Sequence, residues 1–212
     1  MLFELKDVKN KKLEKGVDRM MSELNDFYEI NWVFNVPKIF FVDNRKQIDD
    51  FRGEKTNGWL VGWTRNGRDV YVLKNERIEK ESLHKKLPEE EYSALIKHEL
   101  SHCFQRVLSD FCKWIPKWLW EGLAIYTSGQ NSFKKKVNKF ETFLDFYDQG
   151  FSEGIYKGSG FAVELLVNKF GKEKLLSLIK NLKNYQSKEL FEEAFEKEYC
   201  FFPNYKNFNS LM

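Results

Sequence analysis

The sequence has few of the residues from which disulfide scaffolds and metal clusters are built. Its 212 residues include three cysteines, three histidines and four prolines, and no two cysteines form a CxxC pair. An odd number of isolated cysteines suits a reducing compartment, so we expect Cys103, Cys112 and Cys200 to be buried thiols. No apolar run approaches the roughly 20 residues of a membrane-spanning helix, and charges interrupt the N-terminus before a signal peptide can form. We therefore predict a cytoplasmic protein with no membrane partner.

Charge does not point to a partner either. The 35 basic and 32 acidic residues nearly balance, so we expect no nucleic-acid partner, and the oligomeric state stays open. Hydrophobic residues make up 42% of the chain, enough for one good core. We predict a single domain over 1–212, made of an N-terminal helix within 1–36, a sheet and a helix in 37–110, and a helical lobe in 111–212.

The N-terminal half combines a helix with short strands. Residues 11–32 carry apolar side chains at spacings of three and four, which predicts an amphipathic helix that packs behind a sheet. The segment "VPKIFFVD" predicts a strand, and "NGWLVGWTRNGRDVYVLK" predicts a hairpin around Asn66 and Gly67. We expect these strands to form a small, mostly antiparallel sheet.

Helices dominate the second half. Pro88 and the three glutamates after it predict the start of a helix over 89–108. A second helix follows Pro116 and ends near Gly129, and further helices are predicted beyond Gly160. The lysines at 134–136 are interpreted as a solvated face. The expected fold class is α+β.

The segment "ALIKHELSHCF" places His98 and His102 four residues apart, with Glu99 after the first histidine. On a helix this spacing puts both imidazoles on one face, where they can bind one cation. Glu99 lies about 100° around the helix axis and can reach a water on that cation. The pattern predicts zinc-assisted hydrolysis with Glu99 as general base, the alternative being an accidental HExxH on a helix surface.

A catalytic zinc site usually has three protein ligands, so a third must be found. His84 lies in a polar stretch before the motif, and Leu108 occupies the position where a metzincin would have its third histidine. Cys103 and Cys112 suit structural roles better. Glu121 is surrounded by apolar residues in "WLWEGLAIY", where a buried carboxylate needs a partner, although it faces solvent if that helix is amphipathic.

"HELSH" and "WLWEGLAIY", with 18 residues between His102 and Glu121, together resemble the gluzincin group of zinc peptidases, especially small peptidase-MA-like domains with a thermolysin-like core. The resemblance spans about 37–200, but only these two helix motifs are specific. It implies Zn²⁺ held by His98, His102 and Glu121, with Glu99 as general base. It also implies a zincin-like fold, in which a small sheet lies over the HExxH helix and a cleft separates it from a helical lobe.

Ile125 departs from the family pattern, because many gluzincins have an acidic residue there that orients a histidine ligand. Glu164 is the candidate replacement, although a solvated position on its helix is favoured. Tyr156 resembles the residue that stabilises the oxyanion in small members of the family, whereas Tyr126 is expected in the core.

Substrate binding is predicted at the hairpin, where a free edge over 58–64 or 69–74 can pair with an extended peptide. Trp59 and Trp63 are candidates for lining its subsites, although core positions are the more frequent role of strand aromatics. The predicted function is hydrolysis of a peptide or protein. The alternatives are a catalytically silent relative that binds zinc or peptides and a helical interaction module.

Overall fold

The protein is described by a computed structural model that covers residues 6–147 and 153–212. Helices and strands alternate in the first half, and helices follow in the second, which confirms the α+β class. The strands are β1 (Lys38–Val42), β2 (Gly62–Arg65) and β3 (Asp69–Leu73). The helices are α1 (Lys11–Tyr28), α2 (Arg45–Arg52), α3 (Asn75–Glu81), α4 (Glu89–Leu108), α5 (Lys117–Ser128), α6 (Glu153–Phe170), α7 (Lys172–Lys180), α8 (Lys188–Tyr199) and α9 (Tyr205–Ser210). Within the described ranges, no helix has both the length and the apolar character needed to cross a bilayer.

The sheet has the order β1-β3-β2, with β1 parallel and β2 antiparallel to β3. The prediction of a mostly antiparallel sheet is therefore wrong, because the chain passes through α2 and β2 before it returns beside β1. The hairpin turn is confirmed: Asn66 and Gly67 both have positive φ, 55° and 69°, as the tight turn between antiparallel strands requires. Because β3 lies between two partners, the 69–74 segment offers no free edge, whereas β2 lies at the edge of the described sheet.

The helix α4 is the central element of the fold. The sheet packs on it chiefly through β2, and α5 packs along its length. The N-terminal helix α1 also packs mainly against α4, rather than behind the sheet as we expected. The Tyr28 hydroxyl lies 2.6 Å from Ser101 Oγ, and Lys97 Nζ donates to Glu23 Oε2 at 2.6 Å. These contacts fix the helix that carries HExxH from the side away from the sheet.

The helices α5 and α6 approach each other closely because glycines stand at their crossing. A Cβ placed on Gly122 would lie 2.6 Å from the backbone oxygen of Ser159, and one on Gly160 would lie 2.3 Å from Ile125 Cγ2. Trp118 lies one turn before Gly122 on the same face of α5 and is fully buried among aromatic rings of the helical lobe, including Phe143, Phe191, Phe195 and Phe208. The packing of this face holds the helix that carries Glu121 in place.

The cysteines divide into two groups. Cys103 and Cys112 are buried, and the Cys112 thiol donates to the Trp114 carbonyl at 3.1 Å. Cys200 is exposed, so its predicted burial is wrong. It forms the C-terminal cap of α8 with a φ of 61°, where the chain leaves the helix and turns its side chain to solvent.

Candidate metal centre

The two histidines of α4 face each other from consecutive turns. Both are buried, their Nε2 atoms lie 3.1 Å apart, and their rings are perpendicular. The i, i+4 spacing gives this geometry directly, because it places the two side chains on one helix face. The indole of Trp120 stacks on the ring of His102 with centroids 4.4 Å apart. Packing thus holds the second imidazole in place.

Glu121 comes from α5 and completes a group of three with His98 and His102, called here the cluster. Its Oε2 lies 3.3 Å from His98 Nε2 and 3.8 Å from His102 Nε2. The side chain is buried, so the solvent-facing alternative does not describe this structure. The close contact between α4 and α5 brings together residues that are 19 positions apart or more in the chain.

The three ligand atoms fit a tetrahedral zinc site. Ligands held about 2.0–2.1 Å from a tetrahedral Zn²⁺ lie roughly 3.3 Å from one another. The separations here are 3.1, 3.3 and 3.8 Å, and one donor atom from each side chain lies within 4.8 Å of the others. Two imidazoles and a carboxylate are also the donor set typical of a catalytic zinc. These residues could therefore hold the metal and leave one coordination position for water.

The other nitrogen of His98 has a partner that the sequence did not reveal. His98 Nδ1 lies 3.0 Å from the side-chain oxygen of Gln130, an atom that can only accept. Nδ1 therefore carries a proton, so that in the neutral ring the lone pair is on Nε2, the nitrogen that faces the cluster. Gln130 begins a short 3₁₀ turn, Gln130–Phe133, directly after Gly129, whose φ of 80° ends α5. No sequence signal distinguishes this glutamine from other polar residues after a helix.

Glu164 does not orient a histidine, so that candidate role is wrong. Its Oε2 accepts instead from Asn131 Nδ2 at 2.7 Å. This bond ties the turn that carries Gln130 to α6. On the other histidine, Gln105 Nε2 lies 3.4 Å from His102 Nδ1 and donates to the Trp120 carbonyl at 3.1 Å.

Burial and neighbouring charges set the protonation of the cluster. Burial opposes a charge on His98, but the hydrogen bond and charge of Glu121 outweigh it and raise the pKa of His98. Burial and the adjacent His98 hold the pKa of His102 well below its ordinary value, which keeps that ring neutral. Burial raises the pKa of Glu99 to about 7. The charge of His98 opposes this rise in pKa, and the charge of Glu121 adds to it. The centre is thus a buried site in which negative charge is poorly solvated and a cation is favoured.

Glu99 lies next to the three clustered side chains, under strand β2. A Cβ added to Gly62 would stand 2.8 Å from Glu99 Oε1, so the absence of a side chain on Gly62 lets the edge strand pass over the carboxylate. Glu99 also lines two cavities that meet at the cluster. The Glu99 carboxylate, beside the cluster and on the cavity wall, is positioned to act on a water or a substrate in the cavity.

The larger cavity, called here the polar cavity, has a volume of about 690 Å³ and is lined by His98, His102, Glu99 and Glu121 together with many polar side chains. The smaller, called here the apolar cavity, has a volume of about 600 Å³. Both cavities are lined by Trp59, Leu60, Gly62, His98, Glu99 and Tyr156, and the apolar residues that line only the smaller one are Val61, Leu87, Leu95 and Phe133. The cluster therefore lies where the two cavities join.

Tyr156 and Lys134 lie beside the cluster. Tyr156 lines both cavities from the first turns of α6, and burial raises the pKa of its phenol, as do Glu121 and Glu99. Lys134 Nζ donates to the Tyr156 carbonyl at 2.8 Å, and burial lowers the pKa of this lysine to about 8. Lys135 and Lys136 are exposed as predicted, but Lys134 is not part of a solvated face. A run of three lysines gives no signal for which one turns inward.

The remaining candidates lie around the cavities or outside them. His84 is an exposed loop residue that bonds the Trp59 carbonyl through Nε2 at 2.8 Å and is not part of the three-residue group. Trp59 lines both cavities, whereas Trp63 lines the polar one and stacks on Tyr71 at 4.8 Å. Tyr126 packs edge-on against Phe27 at 5.8 Å, in line with the predicted core position.

Comparison with known proteins gives no match: no family model fits the chain, and no curated protein or solved structure is significantly similar to it. The resemblance to gluzincins therefore stays a prediction from the two quoted motifs. What can be said of the function rests on the residues of the site.

Proposed function

We propose that the protein is a zinc-dependent peptidase of gluzincin type with a zincin-like fold, acting on peptides or proteins in the cytoplasm. The observation that carries the proposal is the convergence of His98 Nε2, His102 Nε2 and Glu121 Oε2 within 4.8 Å of one another, with Glu99 beside them on a cavity wall. An accidental HExxH would not recruit a buried carboxylate from a neighbouring helix. This donor set, with Glu99 outside it, is typical of a hydrolytic centre.

In the proposed reaction each nearby residue has a separate task. Zinc, when bound, lowers the pKa of its water and polarises the scissile carbonyl. Glu99 takes the proton of the attacking water and passes it to the leaving amine. Tyr156, whose raised pKa keeps the phenol protonated, donates a hydrogen bond to the developing oxyanion. The free edge of β2 orients an extended peptide through main-chain hydrogen bonds.

The proposal is tested on protein purified without added zinc, by elemental analysis of bound metal and by cleavage of a peptide mixture. We expect one zinc per chain in the wild type. His98→Ala and Glu121→Ala lose both metal and cleavage, because each removes a ligand. His84→Ala is the matched histidine control and keeps the metal. A chain that binds no zinc, and that is unaffected by Glu121→Ala, would be the helical interaction module instead.

Glu99→Gln separates a peptidase from a silent relative. The change removes the base without removing a ligand, so we expect full zinc content and a rate reduced by a factor of about 10² or more. Glu90→Gln, the same substitution on an exposed position of α4, is the control and leaves the rate unchanged. Zinc binding with no cleavage of any peptide by the wild type would favour the silent zinc- or peptide-binding relative.

Tyr156→Phe tests the oxyanion role. It removes a hydroxyl and leaves the ring, so we expect zinc content and KM near the wild-type values and a kcat lowered by about 10²-fold or more. An unchanged kcat would assign Tyr156 to packing.

A further inference from the structure

The polar cavity carries an excess of positive charge on its walls. Among the residues that the structure describes, and apart from the cluster and its Glu99, Glu54 is the acidic side chain that lines it. Five basic side chains of the described residues line it: Arg52, Lys55, Arg106, Lys113 and Lys117. The whole chain is nearly balanced in charge, so this arrangement is local.

These basic residues come from both sides of the cavity. Arg52 and Lys55 stand at the end of α2 and in the turn after it, whereas Arg106, Lys113 and Lys117 come from the end of α4, the loop that follows and the start of α5. A chain lying in the cavity would therefore have cations on two sides, a geometry that raises the local positive potential.

Part of this charge is not neutralised by the contacts the residues make. Arg106 donates to the Cys112 carbonyl and lies 5.0 Å from the centre of the Trp120 ring, and neither group is charged. Lys55 has an exposed side chain and a weak contact of 3.5 Å to Asp49. Arg52, by contrast, is paired with Glu54 at 3.0 Å.

The apolar cavity contrasts with this side. Its walls are mainly aliphatic and aromatic, and its charged residues include Glu91 and Lys134, whose Nζ is bound to the Tyr156 carbonyl. The cleft thus has unequal arms on the two sides of the metal cluster. Most of the basic side chains that a substrate spanning both arms would meet therefore lie on one side of the scissile bond, in the polar cavity.

We infer that the substrate is an acidic peptide segment, with Asp or Glu residues on the side of the scissile bond that lies in the polar cavity. This inference rests on the proposed peptidase function and adds its substrate class. Carboxylates there would form charge-assisted hydrogen bonds with lysine and arginine, and the positive walls would speed their capture. A single-stranded nucleic acid fits less well, because the edge of β2 offers main-chain donors and acceptors that pair with a peptide backbone and not with phosphodiesters.

The test maps cleavage sites by mass spectrometry after the zinc-loaded full chain has acted on a synthetic peptide library with even amino-acid use. We expect Asp and Glu to be enriched on one side of the cut bond, and high salt to reduce cleavage of acidic peptides. The variant Lys55→Glu/Lys113→Glu changes two exposed residues of the polar cavity and should lower kcat/KM for acidic peptides about tenfold. Lys135→Glu/Lys136→Glu makes the same charge change at exposed lysines outside the cavity lining and should leave kcat/KM unchanged.

The outcomes separate the two claims. Cleavage with no enrichment of acidic residues, or equal effects of the two double variants, overturns the acidic substrate and leaves the peptidase intact. No cleavage of any library peptide overturns the peptidase itself. Binding is measured in parallel with zinc-loaded Glu99→Gln, using an acidic peptide, its Gln-substituted form and a single-stranded oligonucleotide. Tighter binding of the oligonucleotide than of the acidic peptide would also contradict the inference.

Discussion

At the scale of single residues, the orientation of His98 depends on Gln130. The Gln130 oxygen accepts from Nδ1 at 3.0 Å and so fixes both the ring and its tautomer. Partners of this kind typically contribute 10–100-fold to metal affinity. We predict that Gln130→Leu weakens zinc binding by about that factor, measured by competition with a chromophoric chelator.

Gln130→Glu provides the control for that prediction. It keeps an accepting oxygen at the same place, so zinc affinity should stay within a few-fold of the wild type. If both variants bound zinc equally well, Gln130 would have no part in orienting the histidine.

The residues of the centre differ in how far the sequence could predict them. The pair His98 and His102 and the neighbouring Glu99 follow from helical spacing, which is local geometry. Glu121 could be singled out because its neighbours are apolar. Gln130 and Lys134 could not, because their positions depend on a helix cap and on a cavity formed by distant segments. The prediction that Glu164 orients a histidine was wrong for the same reason, because its carboxylate accepts a hydrogen bond from Asn131 instead.

At the scale of elements, the crossing of α5 and α6 depends on residues without side chains. A methyl group on Gly122 would meet the Ser159 backbone oxygen at 2.6 Å, and a backbone atom cannot move aside. We predict that Gly122→Ala lowers the free energy of unfolding by about 1–3 kcal/mol, measured by urea denaturation.

Gly16 offers a matched comparison in the interior of α1. A Cβ there has no atom within 4 Å, so Gly16→Ala should raise the free energy of unfolding by about 0.5–1 kcal/mol through better helix propensity. If Gly16→Ala and Gly122→Ala lowered the free energy of unfolding by similar amounts, the close approach of α5 and α6 would not be the reason for a glycine at position 122.

The attachment of α1 to α4 has a predictable pH dependence. Glu23 accepts from Lys97 at 2.6 Å and from Arg19 at 2.7 Å, and these contacts hold the pKa of Glu23 below its ordinary value of 4.5. Because the folded pKa is depressed, the stabilisation is present above that ordinary value and is lost as the pH falls through the folded pKa. We predict that Glu23→Gln costs up to about 1 kcal/mol at neutral pH, and that the difference from the wild type vanishes in acid.

Urea denaturation at neutral and acidic pH measures that difference. Glu14→Gln, at an exposed position of the same helix, is the control. A loss that persisted unchanged in acid would mean that the carboxylate charge of Glu23 does not matter.

The elements themselves were largely predictable where periodicity was strong. The bounds of α4 follow from Pro88 and its glutamates, and those of α5 from Pro116 and Gly129. The short helices α2 and α3 were not predicted, because a helix of about two turns is too short to show a repeated apolar spacing. The parallel pairing of β1 with β3 joins segments far apart in the chain, and no turn signal reports it.

At the scale of the whole molecule, the fold buries a group of ionisable side chains that a cation would stabilise. His98, Glu99, His102 and Glu121 are all buried. Zinc that binds the folded state and not the unfolded chain stabilises by about 2.7 kcal/mol at a hundredfold excess over its Kd. We predict that zinc raises the Tm of the wild type by several degrees and leaves that of His98→Ala unchanged, measured by calorimetry. Equal shifts for both proteins would place the bound zinc elsewhere.

The short stretch of chain that holds the cluster has a consequence for biogenesis. His98, His102, Glu121 and Gln130 fall within one contiguous segment, whereas Gly62, which lies against Glu99, and Tyr156, which lines the cavities, come from either side of that segment. Contacts between residues close in sequence form early, because closing a short loop loses little entropy. For the proposed zinc peptidase, this order predicts that the segment binds its ion before the cleft around it is assembled.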